Sequence, residues 1–206
     1  MGNSNSRANS RDIIHDSSNF KFEIPLKENH YEQPTCTIWK SSEYGERWMA
    51  QNFTRPDACV LEFGAGLGSV TAVVQEKLEN PACHVAIEPG TTKGARKNIV
   101  QYLGENVTAC NMKTTILNRT LEKNDDVTSP VPGKNFDTLI VDCEGCLTSE
   151  YKKNPHLFDH ITQVQVERDD GEEKPYDEVF KKMNLKQVFR KKTGCGNTCF
   201  NEVWEK

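Results

Sequence analysis

Residues 60–69, Val-Leu-Glu-Phe-Gly-Ala-Gly-Leu-Gly-Ser, put an acid two positions before three alternating glycines. Glycine lets the backbone take dihedrals that a side chain forbids and come close to a ligand. A helix starting after such a turn aims its free N–H groups at any anionic group seated there. A nucleotide-like cofactor suits that arrangement. Residues 83–89, Cys-His-Val-Ala-Ile-Glu-Pro, form a second short apolar run that also ends in an acid. Glu88 follows Gly64 by 24 residues. In nucleotide-binding sheets an acid about 20 residues past the glycine turn meets the ribose hydroxyls, because the second strand lies beside the first.

More acids stand at the ends of later apolar runs: Asp142 with Glu144, and Glu167 with Asp169. A carboxylate beside an acceptor hydroxyl can act as general base and add about 10²–10⁴-fold in rate. Asp142 and Glu144 are the first candidates, followed by Glu167. His156 and His160 read as surface helix positions. The same acids could hold a hard divalent cation such as Mg²⁺, with Asp142, Glu144, Glu167 and Asp169 as ligands. They could equally be base and substrate-binding groups with no metal. Cys143-x-x-Cys146 and Cys195-x-x-x-Cys199 have spacings compatible with a four-cysteine zinc site, although zinc there would crowd the neighbouring acids. A redox reading of Cys143-x-x-Cys146 is weaker, because a thioredoxin-like motif opens a helix after the first strand.

Elements must position these residues. Residues 41–53 read as a helix capped by Ser41 or Ser42, with Trp48, Met49 and Phe53 on its apolar face. A strand at 58–63 leads through the glycine turn to a helix near 67–79, closed by Asn80 and Pro81. The strand at 83–88 precedes a helix near 92–103 that stops at Gly104, then a strand at 107–110. Residues 112–135 form a long polar connection. The run 136–142 is the clearest strand, followed by a helix near 148–159, a strand at 161–166 and a helix at 175–184. Residues 185–191 and 200–204 make a closing hairpin. Strands alternating with helices give a mostly parallel, doubly wound α/β sheet of seven strands with a C-terminal antiparallel hairpin.

The 206 residues fit one domain over 20–206, behind a polar tail over 1–19 that reads as disordered. A net charge of −4 disfavours general binding to nucleic acid or anionic membranes. No apolar run is long enough to cross a membrane, and no hydrophobic signal peptide is present. A cytoplasmic setting with the eight cysteines reduced is therefore expected. Residues 1–6, Met-Gly-Asn-Ser-Asn-Ser, fit the myristoylation pattern, so Gly2 is a candidate acyl site. A single acyl chain anchors only marginally.

The spacing Glu62-x-Gly64-x-Gly66-x-Gly68 resembles motif I of the class I S-adenosylmethionine (SAM) methyltransferases. It departs from G-x-G-x-x-G, which argues against an NAD-linked oxidoreductase. Asp142-Cys143-Glu144-Gly145 resembles the D-x-E-G segment of the FkbM-like methyltransferases. Glu88-Pro89, the stretch around Asn98 and Gln165-Val166-Glu167 follow in that family's order, over about residues 55–170. The resemblance implies a Rossmann-like fold with SAM as cofactor. Gly64, Ala65, Gly66 and Gly68 would pass its methionine moiety, Glu62 would sit near its ammonium, and Glu88, beside Pro89, would take its ribose. Asn111 or Met112, past the third strand, would border the adenine. The implied reaction is O-methylation of a small polyhydroxylated, sugar or glycan acceptor, with no nucleic-acid partner expected. The alternatives are a protein or nucleic-acid methyltransferase and a SAM-fold binding protein without turnover.

Overall fold

A computed structural model describes residues 43–90, 99–169, 171–193 and 199–206. The elements follow as α1 (Tyr44–Phe53), β1 (Val60–Phe63), α2 (Ser69–Lys77), β2 (His84–Ile87), α3 (Ile99–Ala109), β3 (Thr115–Leu117), β4 (Thr138–Val141), α4 (Cys146–Lys153), a 3₁₀ turn (Pro155–Phe158), β5 (Gln163–Arg168), α5 (Glu173–Lys182), β6 (Lys186–Lys192) and β7 (Phe200–Glu205). The strands form one sheet in the order β3-β2-β1-β4-β5-β7-β6. The first five are parallel, and β7 runs antiparallel to both β5 and β6. This is the α/β architecture expected from the sequence.

Strands β1, β2 and β4 are buried along their whole length, as parallel strands with helices on both faces must be. Alternate side chains serve the two faces. Leu61, Phe63, Leu139, Val141, Val164 and Val166 pack against Leu147 of α4 and Tyr176, Val179 and Phe180 of α5. Val60 and Ile140 face Ala50 of α1 and Val70, Val73 and Val74 of α2. Ala86 meets Leu103 of α3. Each large apolar side chain buried in this way stabilises by about 1.5–3 kcal/mol.

The hairpin is tied to the sheet by buried charge. Arg168 on β5 is 1% exposed and bonds Glu202 on β7, itself fully buried, and Asp177 on α5 at 3.0 Å. Its guanidinium lies over the rings of Phe180 and Trp204. Arg190 on β6 reaches Glu202 at 3.2 Å, which ties the outermost strand to the same buried carboxylate.

Several boundaries differ from the sequence expectation. Residues 107–110 are not a strand: α3 runs through Gly104 to Ala109. Ile99, Leu103 and Val107 recur every four residues, and that helical stripe outweighs one solvent-facing glycine. The third strand is instead β3, inside the stretch read as a polar connection. The fourth helix starts at Cys146, earlier than expected, and Pro155 breaks the backbone hydrogen-bond ladder, leaving a 3₁₀ turn. Helix α1 begins after Glu43, which has a left-handed φ of 51° and makes no side-chain cap. The expected caps Ser41 and Ser42, the tail over 1–19, Gly2 and Asn98 lie outside the described residues. Among the described residues, no helix is long and apolar enough to cross a membrane.

The reduced-thiol expectation is overturned. Cys59–Cys83 and Cys143–Cys146 are disulfides, and no described cysteine is free. Register explains the first pair: Val60 lies opposite His84, which places the preceding residues side by side, with their Cα atoms 4.8 Å apart. The four-cysteine zinc site loses two thiols to the second pair, and Cys195 lies outside the described residues. Closing a loop of 24 residues constrains the unfolded chain by about 3 kcal/mol. The double variant Cys59→Ala/Cys83→Ala should therefore lose about 3 kcal/mol in denaturant unfolding. Unchanged stability would mean that the bond does not hold the sheet.

Candidate functional site

The chain winds outward from β1 through β2 to β3, then returns to place β4 on the other side of β1. Ligands of open α/β sheets bind at such a switch point, beyond the carboxyl ends of the strands. A cavity of about 340 Å³ opens there, at the lower end of the range for small-molecule sites. The turn after β1 supplies Gly64 and Gly66. The end of β2 supplies Ile87, Glu88 and Pro89. The stretch after β3 adds Thr120 and Leu121, and the turn after β4 adds Asp142, Cys143, Glu144 and Cys146. Glu43, Ile99 and Glu150 complete the wall.

The glycines are needed for space as well as conformation. Gly64 has φ +81°, and a β-carbon there would lie 1.7 Å from the carbonyl oxygen of Asp142. At Gly68, φ +92°, it would lie 2.8 Å from Leu103 of α3. Glu88 locks the turn to β2. Its carboxylate accepts the Gly66 N–H at 2.9 Å and the Gly90 N–H at 2.8 Å. It still lines the cavity, with lone pairs to spare.

Five carboxylates line this cavity, from Glu43, Glu88, Asp142, Glu144 and Glu150, with no lysine or arginine among the described lining residues. A much smaller hollow shares Gly64 and Asp142 and adds Glu46, Glu62 and Glu167. Burial raises the Asp142 carboxyl to about 7, helped by the charge of Glu46, while its hydrogen bond with Glu167 works the other way. Burial likewise raises Glu167 to about 9, with Glu46 and Asp142 adding repulsion. The two share a proton, held mainly on Glu167. Glu43 is raised to about 8 by burial first, then by Asp142. Its carboxylate accepts the Ser69 hydroxyl and lies over Gly66.

The structure brings Gly64, Gly66, Glu88, Pro89, Asp142 and Glu144 to one cavity. Glu62 sits deeper, accepting Thr71 Oγ1 at 2.8 Å and contacting His84 Nε2 at 2.9 Å. Ala65 is buried against Ala86 and Leu103, beneath the turn. Glu167 lies within β5 and meets Asp142 in the small hollow. Asp169 follows β5, and its N–H donates to Glu172 at 2.9 Å. Asn111 is misplaced by the expectation. It precedes β3, so it lies at the far end of the sheet, and the residues past β3 that reach the cavity are Thr120 and Leu121. His156 is exposed and contacts the Asp125 carbonyl, and His160 is also exposed. Among the described residues no three acidic, histidine or cysteine side chains converge to hold a metal ion, so the Mg²⁺ expectation finds no ligand set. Sequence reasoning missed Glu43 and Glu46. Both are ordinary helix acids in the sequence, and only the packing of α1 brings them here.

No family model matches this chain, and no curated protein matches it. Many solved structures share its fold. A ribosomal protein L11 methylase from Lactobacillus delbrueckii subsp. bulgaricus superposes with a TM-score of 0.57 at 12% identity, over 81% of this chain and 80% of that one. A protein of the NADB-Rossmann superfamily from Streptococcus agalactiae gives 0.58 at 12% identity, over 81% and 68%. TYW2 from M. jannaschii, solved with SAM, gives 0.50 at 12% identity, over 82% and 78%. The fold is the Rossmann-like one shared by the class I SAM-dependent methyltransferases.

Two outcomes follow. Gly64→Ala should lower the denaturation midpoint, because the new methyl meets the Asp142 carbonyl, and an unchanged midpoint would show that the turn can move aside. Asp142 and Glu167 hold protons in the fold where the unfolded chain, with ordinary values of 3.8 and 4.5, has lost them. Their contribution to stability is complete below those values and is lost as pH rises to about 9. Denaturation midpoints of the wild type should fall across that window, and Glu167→Gln should flatten the fall. Parallel curves would refute the shared proton.

Proposed function

We propose that this chain is a SAM-dependent methyltransferase whose acceptor is a basic nitrogen presented by a protein. The observation that carries this reading is the acid-lined cavity at the switch point, closed on one side by the glycine turn. Its charge suits SAM, which has two cationic centres and one carboxylate, and opposes a dinucleotide pyrophosphate. SAM, when bound, supplies a methyl group already activated on a sulfonium.

The residues present fit that cofactor. Glu88 would accept ribose hydroxyls while holding the glycine turn. Ile99, Thr120 and Leu121 offer a largely apolar wall for the base. Asp142 faces the cavity and would take the proton that an ammonium must lose before its lone pair can react. Its raised value lies near neutral pH, where a general base works best. Glu144 would hold the cationic acceptor in place by charge, and Glu43 would accept a hydrogen bond beside it.

The choice of acceptor rests on the same electrostatics. A polyphosphate chain would meet five acidic side chains along the cavity wall. A neutral sugar, as the FkbM-like resemblance implies, would gain hydrogen bonds from them but no charge attraction. The name of the Lactobacillus neighbour points to methylation of a ribosomal protein, in line with a protein acceptor.

The test uses methyl-labelled SAM with a lysine- and arginine-rich peptide, an RNA and an oligosaccharide in parallel. Label should enter the peptide. Label in RNA or sugar alone would overturn the acceptor, and SAM binding with no transfer to any of the three would overturn turnover on these classes. Asp142→Asn should cut transfer by about 10²–10⁴-fold while changing SAM affinity far less.

A further inference from the structure

The two described disulfides differ in access. Cys59 and Cys83 are 0% and 2% exposed, within the core. Cys143 and Cys146 are half-buried and both line the cavity. The second pair also lies at a strand-to-helix junction. Strand β4 ends at Val141, and Cys146 is the first residue of α4. A thiolate at a helix N-terminus is stabilised by the free N–H groups there, which makes it a good leaving group.

We propose that Cys143–Cys146 is a thiol–disulfide exchange site, reached through the acidic cavity by small neutral or cationic thiols, whose oxidised state fixes the turn that carries Asp142 and Glu144. The reaction balances with two equivalents of thiol. The first, as thiolate, attacks one protein sulfur, breaks the bond between Cys143 and Cys146, and leaves a mixed disulfide and one protein thiolate. The second attacks the mixed disulfide and releases the other protein thiolate. The products are a small-molecule disulfide and, after protonation, two protein thiols.

The turn between the cysteines shows what the bond maintains. Glu144 has φ 47° and Gly145 has φ 93°, two left-handed residues in succession. A non-glycine residue stays in that region only where its surroundings over-determine it. The ring closed by the disulfide spans both residues. Its effect extends beyond the ring, because Gly64 packs directly on the Asp142 carbonyl and the Cys143 Cα.

Charge sets which thiols enter. Glu88 and Glu144 line the cavity and repel an anionic thiol while attracting a cationic one.

The experiment treats the full chain with 2-aminoethanethiol, 2-mercaptoethanol or mercaptoacetate. Reduction is followed by alkylation and peptide mass mapping, and each rate is divided by that of a short Cys-x-x-Cys peptide disulfide. The relative rates should fall in that order and converge in high salt, with Cys59–Cys83 intact. Equal or reversed rates, or reduction of Cys59–Cys83 first, would overturn the exchange site. Amide hydrogen exchange before and after reduction reads the turn. Protection should be lost over residues 142–147 and 64–66, and Cys143→Ser/Cys146→Ser should show the same loss with no thiol present. Unchanged protection in both cases would overturn the role in fixing the turn.

Discussion

The contact between the turn after β1 and the end of β4 leaves no room for even a methyl group. Gly64 meets the Asp142 carbonyl there, and the strand register enforces the meeting, since Phe63 and Val141 are paired. Strands β1, β2 and β4 each hand a last hydrogen bond to a neighbour. Gly64 N–H donates to Ile87, Glu88 N–H to Leu117 and Asp142 N–H to Phe63. The carboxyl ends therefore form one continuous rim, and whatever sits at the switch point is framed by backbone that cannot shift strand by strand.

That rim collects acids, and the protein handles their repulsion in three ways. Glu88 is stabilised locally by two backbone N–H groups. Glu62 is satisfied by Thr71 and by His84, which is itself held by Gln75 and Thr114. Asp142 and Glu167 share a proton. Only the last arrangement is undone by a cation entering the cavity, because a positive charge lowers both carboxyls. The same fold treats Glu202 differently, burying it against Arg168 and Arg190 where no ligand can reach. Paired charge builds the hairpin, and carboxyls raised by burial mark the cavity floor.

What was legible in the sequence is what local pattern encodes. The glycine turn, Glu88 and Asp142 each close a short apolar run, so strand end and functional residue coincide. The swap of helix for strand near residue 107 has a different cause. The four residues Val107-Thr108-Ala109-Cys110 fit either period until the stripe from Ile99 is traced through them. Strand β3 has three residues and no alternation to detect. The disulfide at Cys59 follows from the register of two strands far apart in sequence, and Glu43 carries no local signal at all.

Glu43 and Glu46 reach the site because of the opposite end of the chain. Helix α1 is seated by Trp48 and Phe53 against Phe189 of β6, with ring centroids 5.0 and 5.3 Å apart. Gly45 has no β-carbon because the Asn201 amide of β7 occupies that space, at 1.7 Å. Strand β7 in turn is fixed by Glu202 on Arg168. Among the described residues the antiparallel edge contributes none to the lining of the main cavity, yet through these contacts it sets where α1 lies and so where the two acids point. A change that loosens the hairpin should act on the cavity's charge before it acts on its shape.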